Sequence, residues 1–165
     1  MKSLLLTAAG ALAAALSLGS VAQAAAPGAP DAMCPAGQMR ADARTSGETM
    51  PSKVTDTELN TLALGGEIKG LDNRRLRLRR LVIQPGGVVP WHSHTDRPAL
   101  LMTVSGEVTE YRNTCAVGIV HKAGDVTAEK KGTSHWWKNT GKTVAVILAA
   151  DIKNDGDAAT AADMM

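Results

Sequence analysis

Three histidines carry the spacing from which chemistry can be read. His92 and His94 are two residues apart. On a strand, residues i and i+2 face the same way, so both imidazoles project from one side within reach of a single ion. His135 comes from a separate stretch, again opening an extended pattern after a glycine turn. Neutral imidazole is a good ligand for Zn, Cu, Fe and Ni, so the chemistry indicated is coordination of a divalent metal. Other chemistries lack their parts. Ser93 and Ser134 adjoin histidines, but neighbouring strand positions face apart, which denies Ser–His catalysis its geometry. Cys115 has no indicated base, and no paired carboxylates stand at useful spacing. His121, beside Ile119 and Val120, reads as a surface residue or as support for a ligand.

These histidines need a scaffold of short strands. Alternating residues from Arg75 to Ile83 give a period of 2, with Leu76 and Leu78 on one face and Arg75, Arg77 and Arg79 on the other. The apolar phase then moves to Leu81 and Ile83. Either a bulge falls at Arg79-Arg80, the favoured reading, or Arg80 points inward. The rest of the five-arginine run reads mainly as a solvated face, with a polyanion patch as the weaker alternative. Gln84-Pro85-Gly86-Gly87 reads as a turn. Strands are expected over 88–94, 100–104, 108–112, 119–121, 126–129 and 134–139, and a central one over 144–152. Val54 to Leu64 fits a short helix or an edge strand. Short strands with turn signals every 8–12 residues indicate an all-β sandwich or barrel.

Around the histidines the glycines are also placed regularly. Gly86, five intervening residues, His92-Ser93-His94 and then Gly106 resemble the first motif of the cupin superfamily. Gly124, Gly132, His135 and Asn139 are similar to its second motif, with Lys130 where that motif usually has Pro. The resemblance covers roughly Leu71 to Ile152 and is closest to the small single-domain bacterial members. It implies a double-stranded β-helix (jelly-roll) barrel with His92, His94 and His135 as metal ligands. The family's usual glutamate ligand falls at Ala99, and Asp96 lies on the opposite pleat. The expected site is therefore a neutral three-histidine one. Iron is the metal implied by resemblance, while Cu, Zn, Ni and Mn remain open. Such barrels pair through their sheets, which implies a homodimer.

Composition bounds the remainder. The chain has 165 residues, 44% of them apolar, and a formal net charge of +2, which argues against a nucleic-acid binder held by phosphate contacts. There is no Phe, one Tyr and three Trp. Trp137 shares the face of His135 and, with Ala99, is a candidate for the substrate pocket. Space-filling in a Phe-free core is the competing reading for the tryptophan. Tyr111 and Arg80 are candidate catalytic groups, the first as a proton donor and the second aimed at an anionic substrate.

Residues 1–24 read as a signal peptide: Lys2, an uncharged apolar run from Leu4 to Leu18, then Ala22-Gln23-Ala24. A membrane anchor is the alternative, and no later segment reaches spanning length. The expected organisation is an arm over 25–52, a barrel over 53–152 and a C-terminal tail over 153–165, in a periplasmic or secreted protein without stable membrane insertion after cleavage. In an oxidising compartment Cys34 and Cys115 suggest a bridge; two buried thiols or a metal role are the alternatives. Two functions fit: a metal-dependent enzyme performing dioxygenase-type oxidation of a small oxygen-chelating molecule, or a non-catalytic barrel that binds or senses a metal or small ligand. Zn, Ni or Mn would favour isomerase or hydrolase chemistry within the first.

Overall fold

The structure is a computed structural model that describes residues 34–156. The signal-peptide segment and most of the C-terminal tail lie outside the described residues. Among the described residues there are eight strands: β1 (Ser52–Ala63), β2 (Arg74–Ser93), β3 (Ala99–Ser105), β4 (Glu107–Arg112), β5 (Ile119–Lys122), β6 (Val126–Glu129), β7 (Ser134–Lys138) and β8 (Ala145–Asn154). There is no helix among the described residues. The order across the sheet is β5-β4-β7-β2-β8-β3-β6, with β1 added on β2. The far edges, β5 and β6, are joined by the turn between them, whose Gly124 and Asp125 extend the β6–β3 pairing by exchanging backbone hydrogen bonds with Thr103. The result is a nearly closed all-β jelly-roll barrel.

β8 is central, as its apolar run implies. It pairs with β2 on one side and β3 on the other, and its residues alternate strictly between buried and half-buried. The interior apolar rows come from Leu81, Ile83, Leu101, Ala145, Ile147 and Ala149.

β2 departs from expectation twice. It does not end at Gln84-Pro85-Gly86-Gly87. The strand pairs with β8 up to Ile83, bends, and pairs with β7 from Val88 onward. Gly86 takes a left-handed φ of 75° at this corner, a conformation glycine adopts without steric penalty. Asn139, fully buried, fastens the corner: its amide donates to the carbonyls of Ile83 and Thr143 at 2.8 Å each.

The second departure is the absence of a bulge at Arg79-Arg80. The register with β8 is continuous from Arg74 to Ile83. The arginine face is the interior one: Arg77 and Arg79 are buried together with Leu81 and Ile83, while Leu76, Leu78 and Arg80 face outward. Buried carboxylates explain the inversion. Asp151 of β8, directly opposite Arg77, accepts hydrogen bonds from its Nε and an Nη at 2.9 and 2.7 Å. Asp56 of β1 pairs with Arg79. β1 is thus the edge-strand alternative for this segment, and the register shift falls there, between Glu58 and Asn60.

The segment before β1 is tied to the barrel. Cys34 and Cys115 form a disulfide. Met39 bridges Cys115 in the backbone, and Arg44 donates to the carbonyls of Arg112, Cys115 and Ala116. Gly47 passes so close to the Trp136 ring that a Cβ there would lie 2.1 Å from it. The cysteines are 81 residues apart in sequence. Closing a loop of that size is worth about 4 kcal/mol in the chain-entropy account. A Cys34→Ser/Cys115→Ser variant is expected to lose about that much unfolding free energy, measured by denaturant titration of oxidised wild type against variant.

Candidate metal centre

The interior face of the barrel brings His92, His94 and His135 together. His92 of β2 and His135 of β7 are direct cross-strand partners, made so by a register shift between Val89 and His92. His94 continues the same face, held by its backbone N–H on the Thr133 carbonyl at 2.8 Å. The three Nε2 atoms are 3.0, 3.1 and 3.3 Å apart.

Each Nδ1 is already engaged. That of His92 meets the Pro90 carbonyl at 2.8 Å, that of His94 the Arg97 carbonyl at 2.6 Å, and that of His135 the Glu110 carboxylate at 2.5 Å. All three partners are acceptors, which suits the tautomer with the proton on Nδ1 and the Nε2 lone pair toward the common centre. Three lone pairs converging at about 3 Å repel unless a cation stands among them.

A fourth donor joins them. Glu129 of β6 is almost fully buried, with its carboxylate oxygens 2.9 Å from His94 Nε2 and 3.2 Å from His135 Nε2. Donor atoms about 2.0–2.2 Å from one ion are separated by about 2.9–3.5 Å in octahedral or tetrahedral geometry. These five spacings fall in that window and all four donor atoms lie within 4.8 Å of one another, so the group could hold a divalent ion, with Glu129 standing beside the three histidines of the expected neutral site. Ala99 is the reason the carboxylate has room. It is buried on β3, directly opposite Glu129 on one side and Asp151 on the other. The carboxylate thus enters from the strand next to the one that the family motif uses. Alternation in 126–129, with Thr127 and Glu129 inward, is the signal that would have identified it.

Charge around the centre is strongly coupled. Burial, followed by repulsion from His135 and His94, holds His92 well below its ordinary imidazole value. Burial also pushes His135 down, but Glu129 and Glu110 override it and raise the group. Burial would raise the Glu110 carboxyl; His135, His121 and Arg112 outweigh it and hold the group well below the carboxylate range. Glu110 is the hub of a buried network, accepting from Arg112 at 2.7 Å and contacting His121 at 3.0 Å. His121 is therefore not on the surface. It is almost fully buried, with its ring 4.6 Å from that of Trp137, and supports the ligand shell through Glu110.

The other sequence candidates divide. Trp137 is buried on the face of His135 and lines a small cleft, partly open to solvent, with His92 and Glu129. Tyr111 is turned to the opposite face, because it alternates with inward Glu110 and Arg112. Its ring stacks on Trp136 at 4.2 Å, and Arg44 lies over it, so it donates no proton at the centre. Arg80 points outward, and the cleft instead receives Arg79 and Arg97. Asp96 makes an exposed ion pair with Arg74.

Comparison with known proteins agrees with the fold. Residues 79–151 match the Cupin_2 model, described as a cupin domain. Germin-like protein 8-14 of Oryza sativa subsp. japonica is 34% identical over 95 residues, which are 54% of this chain and 44% of that protein. Nectarin-1 of Nicotiana plumbaginifolia is 29% identical over 102 residues, 60% of this chain and 42% of its own length. The chain therefore spans less than half of these curated relatives, which are plant proteins. Among solved structures, a predicted oxalate decarboxylase from Thermotoga maritima is 26% identical, with a TM-score of 0.49 over 65% of this chain and 95% of that one. A recombinant oxalate oxidase in complex with glycolate is 23% identical, with a TM-score of 0.48 over 67% of this chain and 59% of that one. With the motif histidines gathered inside a jelly-roll barrel and a family model matching the strands that carry them, residues 79–151 are a cupin domain.

Proposed function

We propose that this chain is an exported cupin metalloprotein that holds one divalent metal on His92, His94, His135 and Glu129 and oxidises a small oxygen-chelating molecule in a dioxygenase-type reaction. The observation that carries the reading is the convergence of the three imidazoles, each Nδ1 lying against an acceptor and each Nε2 within 3.3 Å of the other two. A first-row ion in that position supplies Lewis acidity and, where redox-active, electrons for dioxygen chemistry. The chain's own residues do the rest. Glu129 offsets part of the cation's charge. Glu110 fixes the His135 ring, as partners of a ligating imidazole commonly do. Leu81, Val89, Leu101, Trp137 and Ile147 wall the cleft and limit water around the ligand. Export is supported by the Cys34–Cys115 bridge, since disulfides persist in oxidising compartments.

The test is oxygen uptake by the protein loaded in turn with Fe, Cu, Mn, Ni and Zn, across diketones, phenols and thiols. Uptake with at least one metal and one substrate class is expected. No uptake with any combination overturns the oxidation and favours ligand binding without turnover.

The proposed partner state is a homodimer through the outer sheet face. Leu78, Ala150, Leu100 and Ala128 form one outward row across β2, β8, β3 and β6, and Leu148, Met102 and Val126 continue the apolar face. Leu100 is 60% exposed and Val126 59%. Light scattering is expected to give twice the chain mass for the wild type and the chain mass for Leu100→Glu; a monomeric wild type refutes the pairing.

A further inference from the structure

Trp137 does more than wall the cleft, because its one polar atom faces the metal centre. It stands two residues after His135 on β7, so the two side chains share a face. The indole is 2% exposed and is held on two sides. The His121 ring lies 4.6 Å from it at 35°, and the His135 ring meets it edge-on at 5.5 Å and 72°. His121 is itself 3.0 Å from the Glu110 carboxylate, which gives the indole a fixed backing. In this setting the Trp137 Nε1–H is directed at His135 Nε2, 3.5 Å away. That is well beyond the usual length of about 2.9 Å for an N–H donor. Among the described residues, no carboxylate or carbonyl accepts a hydrogen bond from it. A buried indole N–H usually finds a good partner, and leaving one without costs free energy.

Filling the centre makes this shortfall complete. His135 Nε2 is also 3.1 Å from His94 Nε2, 3.3 Å from His92 Nε2 and 3.2 Å from a Glu129 oxygen. The His135 lone pair that the indole N–H faces is the one a bound ion would take. The N–H then has no acceptor of the protein's own, while it still points at the centre. A ligand that enters the cleft and binds beside His135 brings the missing acceptor. We propose that Trp137 is a positioning residue for the exogenous ligand of the centre: its Nε1–H donates to the atom by which that ligand binds. It therefore selects ligands whose bound atom keeps a free lone pair, such as hydroxide, carboxylate and enolate oxygens. The inference rests on the metal reading above, since without an ion the His135 lone pair stays available to the indole.

The test uses the full chain loaded with cobalt(II), with metal content measured on every sample and binding read from the visible spectrum. Two anions of equal charge and similar length are compared. Azide keeps a lone pair on its bound nitrogen; thiocyanate bound through nitrogen keeps none. Trp137 is replaced by its benzothienyl isostere, in which sulfur takes the place of the N–H. Arg79 and Arg97 line the same cleft and are unchanged by the replacement, so the comparison isolates the N–H. Azide is expected to bind the wild-type protein about 10- to 100-fold more tightly than the isostere protein, the range for a hydrogen bond to a charged group. Thiocyanate is expected to bind both equally, and Trp137→Phe is expected to follow the isostere. In proton NMR of the zinc-loaded wild type, the indole N–H resonance that is missing from the isostere protein is expected to move downfield with azide and to stay in place with thiocyanate. Equal azide affinity at equal metal content overturns the role of Trp137 and leaves the metal centre standing. A loss of thiocyanate affinity as large as that of azide also overturns it, because the ring then only shapes the cleft. Wild-type protein that takes up no metal overturns the centre, and this inference with it.

Discussion

The His92→Ala/His135→Ala variant is expected to carry no bound divalent metal where the wild-type chain carries one. The pair is the cross-strand centre of the site, and its removal takes away two of the four converging donors. A four-donor zinc site binds with about 10–16 kcal/mol, or about 3 kcal/mol per donor, so losing two lowers affinity by at least about 10⁴-fold. The loss should also appear as stability. A ligand present at a thousand times its dissociation constant adds about 4 kcal/mol to the folded state, and the variant forgoes that increment. Elemental analysis of dialysed protein reads the first effect. The metal-dependent shift in melting temperature reads the second and is expected to vanish. Equal metal content in variant and wild type would contradict the site.

The second large effect concerns the carboxylate. Glu129→Ala is expected to weaken metal binding about 100-fold, by the same share of about 3 kcal/mol per donor, measured by competition with a chelator. The direct pairing of Ala99 with Glu129 makes a sharper version available. Ala99→Glu added to Glu129→Ala returns a carboxylate from the adjacent strand to the same interior face and is expected to recover most of the lost affinity. Ala99→Glu alone places a third acid between Glu129 and Asp151 in one cross-strand row. It is expected to destabilise the fold, because buried like charges in contact cannot all ionise without cost. Unchanged affinity in Glu129→Ala would remove Glu129 from the ligand set.

Much of this was legible in the sequence, for identifiable reasons. The spacing of His92 and His94 fixes their common face, and the apolar length of residues 144–152 suits a strand flanked on both sides. What sequence periodicity leaves open is sidedness. Alternating Arg and Leu in β2 has the right period, but nothing local states which set is interior. That was decided by Asp151 and Asp56, far away along the chain, which neutralise the arginines from neighbouring strands. Arg80 consequently gave way to Arg79 as the guanidinium at the cleft. Gln84-Pro85-Gly86-Gly87 carries turn chemistry in a strand that bends and changes partners, because Asn139 supplies the missing hydrogen bonds at the corner. Glu129 is within reach of alternation, whereas the motif pattern places the family's carboxylate at Ala99. Tyr111 was excluded by one step of that same alternation.

The most direct measurement is anomalous diffraction from crystals of the protein grown with the metal it retains after purification, collected at that metal's absorption edge. The account predicts one strong peak per chain about 2 Å from the Nε2 atoms of His92, His94 and His135 and from a Glu129 oxygen. A peak bound elsewhere, or metal-retaining protein with no peak among these four side chains, would contradict it.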